Sequence, residues 1–176
     1  MLRKAMLAIA AFWTAAVPAL AHVTLEQREA SVGSTYKAVF RVPHGCEGKP
    51  TNAVRVRIPE GFFAVKPMPK PGWTLEKIVG AYEKTYLNHG TPLSEGVKEV
   101  VWSGGNLPDD EYDEFELRGS IAGDLEPGST LWFPVVQECP DGATERWIEI
   151  PAEGQSSGDL DMPAPGVRLT ERAGSH

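Results

Sequence analysis

A chain of 176 residues with a formal net charge of −7 and no basic cluster offers nothing to nucleic acid or to an anionic membrane surface. Eighteen glycines and fifteen prolines argue against a helical protein, and no apolar run after the first 21 residues approaches the ~18 residues of a membrane span. About 150 residues are one domain's worth of chain.

Met1–Ala21 has the three zones of a secretory signal. Arg3 and Lys4 are basic, Ala5 to Ala16 is apolar, and Ala19-Leu20-Ala21 is an A-x-A cleavage site. Cutting after Ala21 takes the charge from −7 to −9 and makes His22 the first mature residue. The expectation is export to the periplasm. An N-terminal histidine brings a ring nitrogen and a free α-amine from one residue. That amine has a reference pKa of about 8, low enough to yield its proton to a cation at neutral pH. Two nitrogens in a tetragonal arrangement suit Cu(II).

From here the periodicity is two. Val23–Gln27 is a first strand candidate. Tyr36, Ala38, Phe40 and Val42 alternate with Thr35, Lys37, Val39 and Arg41, and Val54, Val56 and Ile58 alternate with Arg55 and Arg57. Further strands are predicted at Phe62–Lys66, Trp73–Ile78, Val97–Ser103, Glu114–Ile121, Thr130–Gln137, Arg146–Ile150 and Val167–Thr170. Turn sequences stand between them, among them Pro43-His44-Gly45, Asn88-His89-Gly90-Thr91 and Pro140-Asp141-Gly142. Many short strands with Gly and Pro in the gaps predict an all-β antiparallel sandwich over 22–172, with a mobile loop at Ala152–Asp161 and a frayed tail at 173–176.

Cys46 and Cys139, an even pair in an exported chain, read as a disulfide. It would close a loop of about 94 residues, worth on the order of 4–5 kcal/mol in the chain-entropy model. The alternative reading is a pair of soft copper ligands. Of the four histidines, His176 ends the chain and His89 sits in a turn. His44, next to the cysteine loop, is a second ligand or a partner within that loop. No His-x-His pair, Gly-x-Ser-x-Gly elbow, phosphate loop or dinucleotide fingerprint is present, which leaves zinc hydrolysis and nucleophilic catalysis without support. The acidic run Asp109–Glu114 reads as a solvated connection. Trp73, Trp102 and Trp132 read as core. Trp147, just after the Cys139 turn, stands where an indole face can shield a metal or engage it as a cation.

The mature start His22-Val23-Thr24-Leu25 with Glu29, then Phe40-Arg41-Val42-Pro43, Val101-Trp102-Ser103-Gly104-Gly105, Asp113-Glu114-Phe115, Phe133-Pro134-Val135-Val136-Gln137, Arg146-Trp147 and Pro163-Ala164-Pro165 resemble, in order, the YcnI-like copper-binding domain family. The resemblance spans about 22–170. It implies a cupredoxin-like or immunoglobulin-like sandwich holding one Cu(II) per chain in a mono-histidine brace. His22 would be the brace, Glu29 the carboxylate and Trp147 the neighbouring indole. It also implies a non-enzymatic role in copper trafficking or buffering, with other periplasmic copper proteins or a membrane copper transporter as partners.

Two features depart from that scheme. The Cys46/Cys139 pair is one that some members of the family lack, and His44 beside it would add a ligand. The carboxylate also needs a bend in the chain. On an extended strand even Glu26 lies about 13 Å from His22 at roughly 3.3 Å per residue, so Glu29 must fold back or another strand must supply the oxygen. Two rival functions stand beside this one. An oxidative copper enzyme would use His44 or His89 to complete the brace, and a structural sandwich would bind no metal.

Overall fold

The structure is a computed structural model that describes residues 22–172 and Gly174. The expected signal segment, its cleavage site and the rest of the expected tail, His176 included, lie outside the described residues.

Twelve strands are described: β1 Thr24–Leu25, β2 Glu29–Ser31, β3 Thr35–Val42, β4 Thr51–Arg57, β5 Phe62–Pro67, β6 Thr74–Asn88, β7 Thr91–Leu107, β8 Asp113–Ile121, β9 Thr130–Trp132, β10 Val135–Glu138, β11 Thr144–Trp147 and β12 Gly166–Thr170. They form a four-stranded sheet in the order β1-β3-β8-β5, a five-stranded sheet in the order β11-β10-β4-β7-β6, and a small third sheet, β2-β12-β9. All pairings are antiparallel except β2 with β12. The expected β-sandwich is therefore present.

The alternation read from the sequence is what buries the core. Tyr36, Ala38, Phe40 and Val42 of β3 are buried while Thr35, Lys37 and Arg41 face solvent. From β4, Val54 and Val56 are fully covered, and Arg55 and Arg57 are not. Between the sheets Phe133 meets Phe40 and Phe62 edge-on at 5.6 and 5.4 Å, and Phe115 takes Trp102 at 5.5 Å. Quadrupole alignment favours such edge contacts over face-to-face stacking. Trp102 has no exposure at all, and its Nε1–H donates to the carbonyl of Met68 at 3.0 Å, so burying the indole leaves no orphaned donor.

The structure departs from the sequence reading in three places. The predicted strands Trp73–Ile78 and Val97–Ser103 are the stems of a much longer hairpin, β6–β7, turned by His89 and Gly90. Both have positive φ, at 49° and 83°, as a two-residue hairpin turn requires. Register shifts between Ile78 and Val79 and between Ala81 and Tyr86 break the alternation along its arms and hide the strand from a pattern search. The single strand predicted over Thr130–Gln137 is two, β9 and β10, in different sheets. They part at Phe133-Pro134, where proline has no N–H for a ladder. β2 was not expected. The chain leaves β3's edge after Leu25 and adds Glu29–Ser31 beside β12 instead.

Candidate metal centre

The N-terminal strand is anchored by alternate residues. Val23 and Leu25 are each 2% exposed and sit in the core, while β1 pairs with β3 through Thr24–Arg41 and Leu25–Phe40. His22, one step before Val23, is carried on the other side and is half-buried. Its ring lies 5.3 Å from the indole of Trp147, tilted by 54°. Trp147 ends β11 opposite Val135 and is itself 3% exposed.

A second imidazole reaches the same indole. The His44 ring stands 6.4 Å from Trp147, edge-on. A run of local constraints holds it there. Gly45 donates its N–H to Asp109 Oδ1 at 3.1 Å, and a side chain at Gly45 would put its Cβ 1.9 Å from the Lys49 carbonyl. Cys46 and Lys49 exchange both backbone hydrogen bonds at 2.9 Å around a turn whose central residues, Glu47 and Gly48, have positive φ. Cys46 and Cys139 are joined in the expected disulfide, across a sequence separation of 93. Both sulfurs are thus spent on each other, which removes the reading of these cysteines as copper ligands.

His44 Nδ1 lies 2.6 Å from the carbonyl of Gly45. A carbonyl only accepts, so Nδ1 is the donor in this contact.

The piece that the sequence reading missed lies beneath the indole. Gln137 and Thr51 are fully buried polar residues. Gln137 Oε1 accepts from Trp147 Nε1 at 2.6 Å, and its Nε2 donates to the His44 carbonyl and to Thr51 Oγ1, each at 2.9 Å. The Thr51 hydroxyl lies 3.9 Å from Cys139 Sγ. One amide thus spends its acceptor and both donors on holding the indole and the His44 backbone together. No buried side-chain polar atom among the described residues is left without a partner. The available signal was a glutamine on the inward side of an otherwise apolar strand, Val135–Gln137.

Glu29 is placed differently. It opens β2, exposed, opposite Arg168 of β12, and is not one of the residues lining the cleft beside His22. Glu26 is tied to Arg41, Oε1 to Nη2 at 2.9 Å. Among the described residues no group of three or more His, Cys, Asp and Glu comes together. His89 turns the β6–β7 hairpin and shares no contact with Trp147. Trp132, expected in the core, is half-buried and forms part of the cleft wall.

The cleft beside His22 has a volume of about 300 Å³. Arg28 and Arg168 line it, with Trp132 and the Pro163–Gly166 segment opposite. Gly166 is obligatory there, because a Cβ would stand 2.6 Å from the Trp132 ring.

The family described as "Domain of unknown function (DUF1775)" matches residues 22–169. No curated protein matches the chain. Among solved structures, the chain is similar to an uncharacterized protein from Nocardia farcinica with an immunoglobulin-like fold. Identity is 26% and the TM-score 0.60, over 85% of this chain and 98% of that one. Two cohesins align less well. One, from the Acetivibrio cellulolyticus scaffoldin B, is 10% identical with a TM-score of 0.37, over 84% of this chain and 97% of that one. The other, from Clostridium thermocellum OlpA, is 6% identical with a TM-score of 0.38, over the same shares. No functional likeness is read from scores so low.

Proposed function

The chain belongs to the DUF1775 family, the YcnI-like one, and on that footing we propose that it is an exported protein binding one Cu(II) at its processed N-terminus. The observation that carries this reading is the packing of two imidazoles, His22 and His44, against one buried indole, Trp147. The donor chemistry fits the ion. After cleavage before His22, the α-amine and ring of that residue form a two-nitrogen chelate of the kind Cu(II) favours. His44, whose ring meets the same indole, is the candidate for a further nitrogen. With Cys46 and Cys139 bonded to each other, the described chain has no free thiolate to favour Cu(I).

Bound copper would supply only its own charge and coordination preference; the protein's part is to hold and release it. Trp147 closes one side of the site and excludes water there. The disulfide and Gln137 fix the two loops, so little ordering is left to occur on binding. A half-buried terminus leaves the ion within reach of another protein, which suits trafficking or buffering in the periplasm better than catalysis. Copper-handling proteins of the same compartment, or a membrane copper transporter, would be the partners.

The test uses protein processed in an exporting host, its N-terminus fixed by mass spectrometry, and titrated with Cu(II) under electron paramagnetic resonance. One tight equivalent with nitrogen hyperfine structure is expected, lost when one residue is added before His22. The melting temperature should rise with free copper as RT ln(1 + [L]/Kd). Binding indifferent to the added residue would overturn the brace. Reductant-dependent oxidation of a polysaccharide, lost in His44→Ala, would move the protein into the enzyme class instead.

A further inference from the structure

The cleft beside His22 has no role in the copper reading as stated, yet its lining is specific. Arg28 and Arg168 bring two guanidinium groups to a chain that is otherwise strongly acidic, and neither is in an ion pair among the described residues. The Trp132 ring, seated on the bare Gly166, gives the cleft a flat apolar wall. The volume, about 300 Å³, lies at the lower end for ligand pockets and suits a molecule of a few carbon atoms. Among the described residues, meanwhile, no group of three or more His, Cys, Asp and Glu forms at the imidazoles beside Trp147. The cleft offers cationic hydrogen-bond donors next to His22, and no carboxylate side chain lines it.

We infer that this cleft binds a small carboxylate anion through Arg28 and Arg168, and that the anion supplies the oxygen donor His22 needs to hold Cu(II). Planar guanidinium groups match carboxylates through paired N–H···O bonds, and a carboxylate can bridge a guanidinium and a metal because it has lone pairs for both. The protein would accordingly take and give up copper as a complex with a small organic acid. The metal half of this inference rests on the copper reading; the anion half does not.

The probe is succinate, a weak chelator by itself, added to the processed full-length chain. Cu(II) titrations run with and without it, and metal-free protein is followed by amide chemical shifts. Expected is a roughly tenfold tightening of Cu(II) binding by succinate, with an altered electron paramagnetic resonance spectrum. By linkage, succinate binding must tighten by the same factor when copper is present. Arg28→Gln and Arg168→Gln, both at exposed positions, should abolish the enhancement by succinate. Copper binding that ignores succinate would overturn the inference and leave the copper reading standing. Equal enhancement by inorganic phosphate would overturn the carboxylate assignment. If no copper binds under any condition, the copper reading fails and the coupling with it. Succinate-induced shifts around Arg28 and Arg168 in the metal-free chain would then uphold the anion site, and their absence would remove it.

Discussion

The two ends of the sandwich solve one problem, tying separate loops together, with different chemistry. At the His22 end the ties are a disulfide and one buried amide, and the aromatic ring they hold, Trp147, meets two imidazoles. At the other end the β6–β7 hairpin folds over β5. Tyr86 stacks on Phe63 at 4.6 Å and meets Tyr82 edge-on at 5.0 Å. There Glu60 accepts from the Tyr86 hydroxyl at 2.9 Å and from Lys98, and the same hydroxyl accepts from the Gly61 N–H at 2.8 Å. Burial works against the Glu60 charge, but these hydrogen bonds outweigh it and hold the carboxyl below its ordinary range. The hairpin end spends its charged and hydroxyl groups on its own chain. The His22 end sets two imidazoles against Trp147 and lines an open cleft with His22 and two guanidinium groups. Stability explains the first arrangement in full; it does not explain the second.

Breaking the covalent tie should produce the largest effect. Cys46→Ala with Cys139→Ala releases a loop spanning a separation of 93, which costs on the order of 4–5 kcal/mol in the chain-entropy model and is read from urea unfolding. Gln137→Leu comes next, at about 3 kcal/mol, because it strands the Trp147 N–H in a buried place and takes donors from Thr51 and the His44 carbonyl. It should also weaken copper binding, which a merely structural glutamine at the hairpin end would not do. The two histidines sharpen the contrast further. His44→Ala should lower Cu(II) affinity about tenfold, or ~1.4 kcal/mol, with little change in melting temperature, whereas His89→Ala should change neither.

Tyr86→Phe should cost about 1 kcal/mol at neutral pH for its hydrogen bonds, and it carries a pH signature. Burial pushes the Tyr86 phenol up to about 12; the Gly61 hydrogen bond opposes the rise and Glu60 adds to it. The unfolded chain ionises near pH 10 and the folded one later, so this contribution is whole below pH 10 and is lost as pH rises toward 12. Tyr36, also raised by burial and then by the charge of Glu26, loses stability in the same direction. Urea midpoints at pH 9 and pH 11 should therefore fall less in Tyr86→Phe than in the parent chain. An equal fall in both would mean that the hairpin end is not where the alkaline stability lies.

Much of the sandwich was legible because strand alternation writes burial directly into sequence. Tyr36 to Val42 and Val54 to Val56 are buried and exposed as their pattern says, except Val39, which was read as outward-facing and is buried. The hairpin arms were not legible, since a bulge inserts residues without marking them and scrambles the alternation beyond Ile78. Pro134 was in view, but a proline announces a break without saying that its two sides join different sheets. At the site, the Cys46–Cys139 pairing followed from the even cysteine count together with the expectation of export. The partnership of Trp147 with both His22 and His44 had only loose support from the disulfide.

The sequence by itself determined the β class and the cysteine bridge, because periodicity and cysteine parity are local or compositional properties. The tertiary structure alone decided that Gln137 underpins Trp147, that Glu29 stands away from the cleft His22 lines, and that Arg28 and Arg168 share that cleft across 140 residues of chain. Such neighbours meet through strand order and register, which depend on how the whole core packs and leave no trace in the spacing of any one segment.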